Sequence, residues 1–422
     1  MNEQKIWRRS FCLYAFPSLS TMAGMGIGSG LLLLSSVFAL ARGWKLWARE
    51  SLKAVLHSAW GYATLALFSA CTLSLVFAWL FPPLGIALSG FGEVKKFHYF
   101  LYPPLVALAL LRTSDSIERH PFWKVWAGTG VFLFFVSVLQ FFGQDLLPEA
   151  WLHERFFRPA GGSHRFHAQG FMFFHLSFAT CMSFVAAMGL SRFVFPSLWD
   201  QGWRRFAWGA VGLAGTLAVY FSFSRAGIFG LVGVVCTIGF LRRPLAGLGA
   251  VLACVLLGIT LWFSMPSLRQ RFNEAGTYNS ERYIMWESAW EMFKERPVLG
   301  LGFGRTGEYS PAFSERVLGH RASFTSHAHN NVLDIMGAIG GLGLAAFLAW
   351  WGVLFTWAFR CFRRARAGEK WLPAAALAGF VAFHINGLTQ VNFWDGKSQH
   401  TLMIWVGVVL ALELRDRLRA EV

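Results

Sequence analysis

Long apolar runs recur along the whole chain, and they limit the fold more than any other feature. About 20 apolar residues in a helix span the hydrocarbon core of a bilayer. Within that core every backbone N–H and C=O must be paired inside the protein, so only helices and closed barrels cross it. The runs here are continuous rather than alternating, which argues against a β-barrel. Of 422 residues only 14% are charged, against about 25% in soluble domains. The predicted fold is therefore an all-α polytopic membrane protein with a single integral membrane domain over residues 1–422. The leading "MNEQKIWRRS" passes directly into an apolar run that reads as the first spans rather than as a cleavable signal peptide.

A formal net charge of +16 invites a nucleic-acid reading. The distribution argues against it, because the basic residues sit in short clusters between apolar runs, as the positive-inside rule expects. The six cysteines lie in or beside apolar runs, with no pair in a polar loop, so no disulfide is expected.

Basic clusters flank the run from Phe11 to Ala41 on both sides: Lys5, Arg8 and Arg9 before it, Arg42, Lys45, Arg49 and Lys53 after it. That run must cross an even number of times, and "GMGIGSG" (Gly24–Gly30) is the expected break between two short spans. Ten further spans are predicted over 58–81, 97–112, 122–143, 171–191, 206–222, 226–241, 245–264, 331–358, 372–390 and 401–414. Twelve crossings place both termini in the cytoplasm. Lys95 and Lys96 fall on the outer side, against the rule.

Three further outer regions remain. One is the loop 144–170, one the segment 266–330 between spans nine and ten, and one the short connection 391–400. The segment 266–330 carries eight Lys/Arg and seven Asp/Glu and is too long for a plain loop, so a structured, partly helical cap is expected. Within it, "NSERYIMWESAWEMFKERP" reads as an amphipathic helix capped by Asn279 or Ser280 and ended by Pro297 and "GLGFG". Tyr283, Trp286, Trp290 and Phe293 recur at helical spacing and are expected to pack on the bundle or rest in the headgroup layer.

Ionisable groups in or beside spans are functional candidates. "YFSFSRAGIFG" sets Arg225 at a membrane–water boundary among the small residues Ser222, Ser224, Ala226 and Gly227, which would leave room for a ligand. A snorkelling arginine is the plain alternative. Arg282 is expected in the first turn of the cap helix, where a cation opposes the helix dipole and Glu281 or Glu287 could offset it. Arg158 and Arg165 lie in the outer loop with His164, His167 and His175 close by. Arginine's planar fork suits bidentate phosphate binding.

"TSHAHNNVLDIMGAIGGLG" places His327 and His329 at the outer mouth of span ten. His-x-His can be half of a zinc site. However, a helix would turn Asp334 about 140° away from His329, no further ligands are evident, and no metal or other cofactor is expected. A neutral imidazole can act as general base, with Asn330 orienting it or holding a sugar hydroxyl; a capping histidine is the alternative. Gly337, Gly340, Gly341 and Gly343 would let a neighbouring helix approach.

This stretch resembles the histidine signature of the O-antigen ligase family: His-[Asn/Ser/Gln], nine residues, Gly, two residues, then Gly/Thr/Tyr. His329-Asn330, residues 331–339, Gly340 and Gly343 satisfy it. The span order, the large segment before the histidine, "SFSRAG" and the Arg282-x-x-x-Trp286 pattern resemble the family too. The resemblance implies a GT-C-like enzyme of lipopolysaccharide biosynthesis. Such an enzyme moves O-antigen polysaccharide from undecaprenyl pyrophosphate to a sugar hydroxyl of lipid A–core oligosaccharide. The reaction takes place at the periplasmic face of the bacterial inner membrane, without nucleotide sugar or required metal. In this reading Arg225 and Arg282 bind the pyrophosphate and His329 accepts or polarises the acceptor proton, with direct attack inverting the anomeric carbon. Asn330, Arg158, Arg165 and His327 complete the substrate-binding set. Glu154 and Asp395 are alternative bases, although Asp395 could instead pair with Lys397.

The same superfamily holds O-antigen polymerases and protein O-oligosaccharyltransferases with the same donor type. The chain runs only about eight residues past its last span, without a large soluble domain there, which favours a lipid acceptor. A lipid-linked glycan transporter, the non-enzymatic alternative, would be expected to show internal repeats and mid-membrane charges. No repeat is evident, and the informative residues gather at one face.

Overall fold

The computed structural model describes residues 3–41, 52–85, 91–113, 116–160, 165–264, 275–320 and 326–420. Arg42, Lys45, Arg49 and His164, like residues 265–274 and 321–325 of the cap, lie outside the described residues. Each predicted apolar run coincides with a helix. In chain order these are α1 (Glu3–Ala15), α2 (Met22–Ala41), α3 (Ala59–Leu80), a 3-10 helix over Gly92–Leu101 that runs into α4 (Tyr102–Arg112), α5 (Phe122–Phe141), α6 (His175–Val194), α7 (Trp203–Phe221), α8 (Arg225–Arg242) and α9 (Pro244–Ser264). The cap holds α10 (Ala275–Glu295) and α11 (Thr306–Leu318); α12 (Asn331–Arg364), α13 (Trp371–Gly387) and α14 (Gly396–Ala420) follow. Among the described residues six helical stretches are long and apolar enough to cross a membrane: 59–80, 117–141, 175–194, 225–242, 244–264 and 331–364. The protein is an all-α, multi-pass membrane protein. Among the described residues the strands form one short ribbon, in which Arg158–Pro159 (β1) pairs antiparallel with Phe166–His167 (β2).

The first apolar run breaks earlier than expected. The chain turns at Thr21, whose backbone is extended, after the single turn Pro17–Ser20, and Gly24–Gly30 lie inside α2. Two of the glycines serve packing: a Cβ at Gly28 would stand 2.6 Å from the Pro17 ring and 3.0 Å from Tyr14, and one at Gly24 3.0 Å from Pro17. They let α2 fold back against α1, so the break falls at the turn and not at the glycine run.

Helix α6 forms the centre, with every residue from Ser177 to Gly189 buried, and α7, α8, α13 and α14 pack around it. Buried tryptophans fill the bundle, including Trp123, Trp126, Trp350, Trp371 and Trp405. By contrast α9 exposes Leu248, Leu252 and Leu256, as a lipid-facing helix does. Lys96, at odds with the charge pattern, is paired with Glu93 one turn away on the 3-10 helix.

The cap helix α10 starts at Ala275, so Asn279 and Ser280 lie inside it and Arg282 sits beyond its first turn. A helix held by packing further along propagates past a capping sequence, since cap preference is worth only about 1 kcal/mol. The packed face is Met285, Ser288, Ala289 and Met292, while Tyr283 and Trp290 are exposed. Of the two expected settings for the aromatic stripe, this exposure suits the headgroup layer.

Helix α12 is two helices joined at Gly340, whose backbone (φ 67°, ψ −167°) is not helical. The loop after α10 pairs with this break. Leu301 N–H donates to Gly337 O (3.0 Å) and Gly302 N–H to Ala338 O (2.9 Å). In return Gly341 N–H donates to Pro297 O (2.7 Å) and Leu342 N–H to Val298 O (3.2 Å). Ser74 of α3 adds a hydroxyl bond to Ala338 O at 2.8 Å. Non-helical backbone at membrane depth survives only where protein satisfies it, and here "GLGFG" does so. The glycines of α12 therefore admit this loop as well as helix α10, whose Ala289 and Met292 meet Gly337; only the helix was expected.

Candidate functional site

Arg225, Arg282 and His329 come together at one end of the bundle from three elements. Each is half-buried. Arg225 opens α8 after the turn Phe221–Ser224, in which Phe223 is left-handed (φ 55°). Ser224 caps α8 by accepting from Gly227 N–H at 3.0 Å, and Ser222 donates to Val219 O at 2.6 Å. A Cβ at Gly227 would lie 2.9 Å from Val219 and 3.0 Å from Ala179. The small residues around Arg225 are thus spent on capping and close packing rather than on ligand room, which corrects the sequence expectation.

The turn is also held from the outer loop. Ala168 N–H donates to Phe221 O (3.0 Å), and His167 Nδ1 donates to Ser222 O (3.0 Å). The His167 ring stacks on His175 with centroids 4.2 Å apart. Among the described residues four that are not glycine, Leu84, Phe173, Phe223 and His329, occupy the left-handed region, and the last two flank this cluster. Such backbone costs about 1–3 kcal/mol each and gathers at functional sites.

Arg282 on α10 lies within electrostatic reach of both Arg225 and His329. Burial first, then the Arg225 charge, lowers its pKa. Two neighbouring guanidinium groups in a half-buried setting repel one another, so an anion placed between them is strongly favoured.

His329 has φ 46° and donates its backbone N–H to Nδ1 of His327 (3.3 Å). The two rings lie 4.3 Å apart at 52°. Burial, with His327 and Arg282 adding to it, pushes the His329 pKa down from 6.5 to about 4, so the ring is neutral near pH 7. Its Nδ1 is buried without a hydrogen-bond partner among the described residues. A neutral imidazole with an unused nitrogen can accept a proton or a hydrogen bond.

The two asparagines that follow have distinct work. Asn330 is the N-cap of α12: its Oδ1 accepts from Val332 N–H (2.9 Å) and Leu333 N–H (3.2 Å), and its Nδ2 donates to Leu388 O (3.0 Å). That places it next to His329 through the backbone, with its amide already engaged in holding the helix start. Asn331 is buried and clamps the connection after α13, donating to Asn392 Oδ1 (2.6 Å) and accepting from the N–H groups of Asn392 and Phe393. This clamp, and the burial of Asp334 one turn on, were not anticipated from sequence. The signal was there: polar residues at 331 and 334 fall on the same helical face as the apolar Ile335 and Ala338.

The other candidates lie around this centre. Arg158 faces His167 across the ribbon. It lines an open cleft of about 650 Å³ with His153, Glu154, Arg155, Pro159, Gln169 and Phe173. Arg165 is ion-paired with Asp145 and lies over the Phe142 ring at 4.9 Å. Its guanidinium also lies over the Phe141 ring at 5.6 Å, and that ring meets Phe223 of the Arg225 turn at 5.2 Å. Asp395 does not pair with Lys397. Its carboxylate accepts from the hydroxyls of Ser177 (2.7 Å) and Ser398 (2.8 Å), as a cap for the start of α14.

Comparison with known families places this cluster in context. Residues 209–348 match a family model described as O-antigen ligase. The matched region runs from within α7 through Gly343, and so contains Arg225, Arg282, His327, His329 and Asn330 but neither Arg158 nor Arg165. No curated protein matches the chain. The match supports a membrane enzyme of the O-antigen ligase, polymerase and oligosaccharyltransferase type, glycosyltransferase-like in its chemistry.

Proposed function

With residues 209–348 carrying an O-antigen ligase domain, we propose that this protein joins O-antigen polysaccharide to lipid A–core oligosaccharide. The donor is undecaprenyl pyrophosphate-linked glycan, and the reaction takes place on the periplasmic side of the inner membrane, with both termini cytoplasmic. The observation that carries this reading is the meeting of Arg225 and Arg282 with the neutral, partnerless Nδ1 of His329 at one end of the bundle.

A polyprenyl pyrophosphate keeps its tail in the bilayer and its two phosphates at the boundary, where Arg225 and Arg282 stand. Forked, charge-assisted hydrogen bonds from guanidinium to phosphate are the strong ones. They tighten as charge grows on the leaving pyrophosphate, so they stabilise the transition state more than the bound donor. The acceptor hydroxyl attacks the anomeric carbon opposite the phosphate. The new C–O bond forms as the sugar–phosphate C–O bond breaks, and the hydroxyl proton passes to His329. One displacement inverts the configuration.

A base near pKa 4 is weak in the empty site. Bound pyrophosphate offsets the arginine charges that help to depress it and so raises its basicity when the donor arrives. The hydroxyl also becomes far more acidic as its oxygen bonds to carbon, so His329 takes the proton late. His327, whose ring lies tilted beside it, and Arg158 and Arg165, on and next to the ribbon that holds the Arg225 turn, are the candidates for contacts to the acceptor; Asn330 holds the turn.

The test is transfer by purified protein from lipid-linked glycan to lipid A–core, without ATP or nucleotide sugar. A lengthened lipid-linked glycan would instead indicate a polymerase, and a glycosylated protein acceptor an oligosaccharyltransferase. Movement of intact donor across vesicles with no transfer would overturn the enzyme reading. Arg225→Ala and Arg282→Ala are each expected to weaken undecaprenyl pyrophosphate binding about 10- to 100-fold, the worth of a charged hydrogen-bond set. Titration of the purified variants with undecaprenyl pyrophosphate measures this, and unchanged binding in both moves the phosphate site elsewhere.

A further inference from the structure

The open cleft of the outer loop has a volume of about 650 Å³, within the range of about 300–1,000 Å³ usual for ligand sites. None of Arg225, Arg282 and His329 lines it. Its frame is held by two buried glutamines. Gln140, near the end of α5, is fully buried. Its Oε1 accepts from the N–H groups of Gln169 (3.0 Å) and Gly170 (2.9 Å), and its Nε2 donates to Phe156 O (3.0 Å) and Gly170 O (3.1 Å). Gln169, which lines the cleft and is 1% exposed, donates its own Nε2 to Arg155 O (3.0 Å) and Phe156 O (3.3 Å). Those two bonds fix which end of the amide is which. They leave its Oε1 buried without a donor among the described residues, a costly state for a buried acceptor.

Around this frame stand the exposed side chains of Glu154, Arg155 and Arg158. Among the described residues none of the three is ion-paired; the ion pair of this loop joins Arg165 to Asp145. Two guanidinium groups against one carboxylate leave the cleft net positive, which selects for an anion. Phe173 offers a ring that is 42% exposed, with the Arg155 guanidinium 4.7 Å from its centroid. Its backbone is left-handed (φ 54°), a strain that gathers at ligand sites. Each group has a matching ligand chemistry. An aromatic face packs on the apolar face of a sugar ring. A free carboxylate accepts from hydroxyls. Forked guanidinium groups take phosphate or carboxylate.

We propose that this cleft is a binding subsite for an acidic saccharide, a sugar that carries phosphate or carboxylate. Arg155 and Arg158 hold the anion, Glu154 accepts from sugar hydroxyls and Phe173 packs on the ring. A further hydroxyl supplies the donor that Gln169 Oε1 lacks. The proposal rests on the reading of the protein as a glycan transferase and deepens it. The subsite is tied to the transfer centre through the backbone: Gln169 follows Ala168, whose N–H bonds Phe221 O in the turn that carries Arg225. A glycan seated in the cleft is thus held at a fixed distance from the pyrophosphate site, and a frame built in advance lowers the cost of binding it. The saccharide comes from the acceptor oligosaccharide or from the glycan of the donor, and the experiment tells the two apart.

The test titrates purified full-length protein with delipidated core oligosaccharide, with released O-antigen glycan, with each of them after removal of its acidic groups, and with glycerol phosphate, an anion without a sugar ring. One acidic glycan is expected to bind, and to bind about 10-fold more weakly once its acidic groups are removed. Arg158→Ala is expected to weaken that binding about 10-fold and Glu154→Gln about threefold, with undecaprenyl pyrophosphate binding unchanged in both. Both side chains are exposed, so the variants keep the fold. In transfer, KM should rise by the same factor for the substrate that carries that glycan, which names it as acceptor or donor, while kcat is held. No binding of either acidic glycan, equal affinity in Arg158→Ala and the parent, glycerol phosphate as tight as the glycan, or a loss that falls on kcat alone overturns the proposal. A parent protein that transfers glycan but binds none in the cleft removes this inference alone. Cleft binding in a protein that transfers to no acceptor brings down the functional reading instead.

Discussion

His329→Ala is expected to reduce glycan transfer about a thousandfold, within the range for loss of a positioned general base, while binding of undecaprenyl pyrophosphate stays intact. The separation follows from geometry. In the proposed reading the anion is held by guanidinium groups on α8 and α10, whereas His329 sits before α12 with an Nδ1 that has no partner among the described residues. The pH behaviour adds an independent check. The His329 pKa is depressed to about 4 by burial, His327 and Arg282, so the acid limb of kcat/KM, which reports the free enzyme, should lie well below the ordinary histidine value. The limb of kcat should lie higher, because bound pyrophosphate offsets the arginine charge. The same depression bears on stability. Between 6.5 and about 4 the unfolded chain binds a proton at this position that the folded chain resists. This contribution is complete above 6.5 and is lost as pH falls toward 4. Thermal unfolding in detergent should therefore lose less on acidification in His329→Ala than in the parent protein. Transfer that survives at the parent rate in a folded His329→Ala protein would remove His329 from the chemistry.

How far the sequence carried this site depended on the kind of information each residue holds. Apolar runs report helices directly, because a bilayer tolerates little else, and every predicted run met one. Arg225, Arg282 and His329 stood out because charge beside a span is costly and rarely idle. Their meeting was only inferred from topology until the structure placed Arg282 in electrostatic reach of the other two. What sequence could not reveal was the use made of small and polar residues. Gly24–Gly30 reads as a break but lies inside α2, with Gly24 and Gly28 packed on Pro17. Asn279–Ser280 reads as a cap but lies within α10. Asn330 reads as orienting His329 or holding a sugar hydroxyl, and its cap of α12 is not visible in sequence. Each function depends on a partner distant in sequence, and one chain without its fold does not name that partner. The run His-Ala-His-Asn-Asn divides accordingly: a half-buried ring with an unpartnered Nδ1 among the described residues at His329, a neighbour ring at His327, a buried methyl at Ala328, a cap at Asn330 and a clamp at Asn331.

The first glycine of the histidine signature should be as sensitive as the histidine, for a structural reason. Gly340→Ala is expected to cost several kcal/mol, on the order of 3 or more, because two penalties add. The backbone at φ 67° and ψ −167° is a glycine conformation, and a Cβ there would press on the Val298 carbonyl and stand 2.7 Å from Gly300 N. Neither neighbour is free to yield. Val298 O accepts from Leu342 N–H and Gly300 N–H donates to Arg296 O, so moving the loop unpairs backbone at membrane depth. The damage should also travel. The loop from Pro297 leads to Thr306, which bonds Asp334, and α10, which carries Arg282, ends just before it. A substitution far from any substrate atom would thus loosen the positions of both the arginine and the histidine. The expected result is a sharp fall in folded yield in detergent, with reduced donor binding and reduced transfer together in whatever folds. Gly341→Ala is the control, since its added Cβ would meet only the Pro297 carbonyl at 3.3 Å, and it should retain most of both. Equal behaviour of the two variants would mean that the break in α12 does not depend on glycine geometry. The spacing from His329 to Gly340 would then reflect something other than the loop seated in that break.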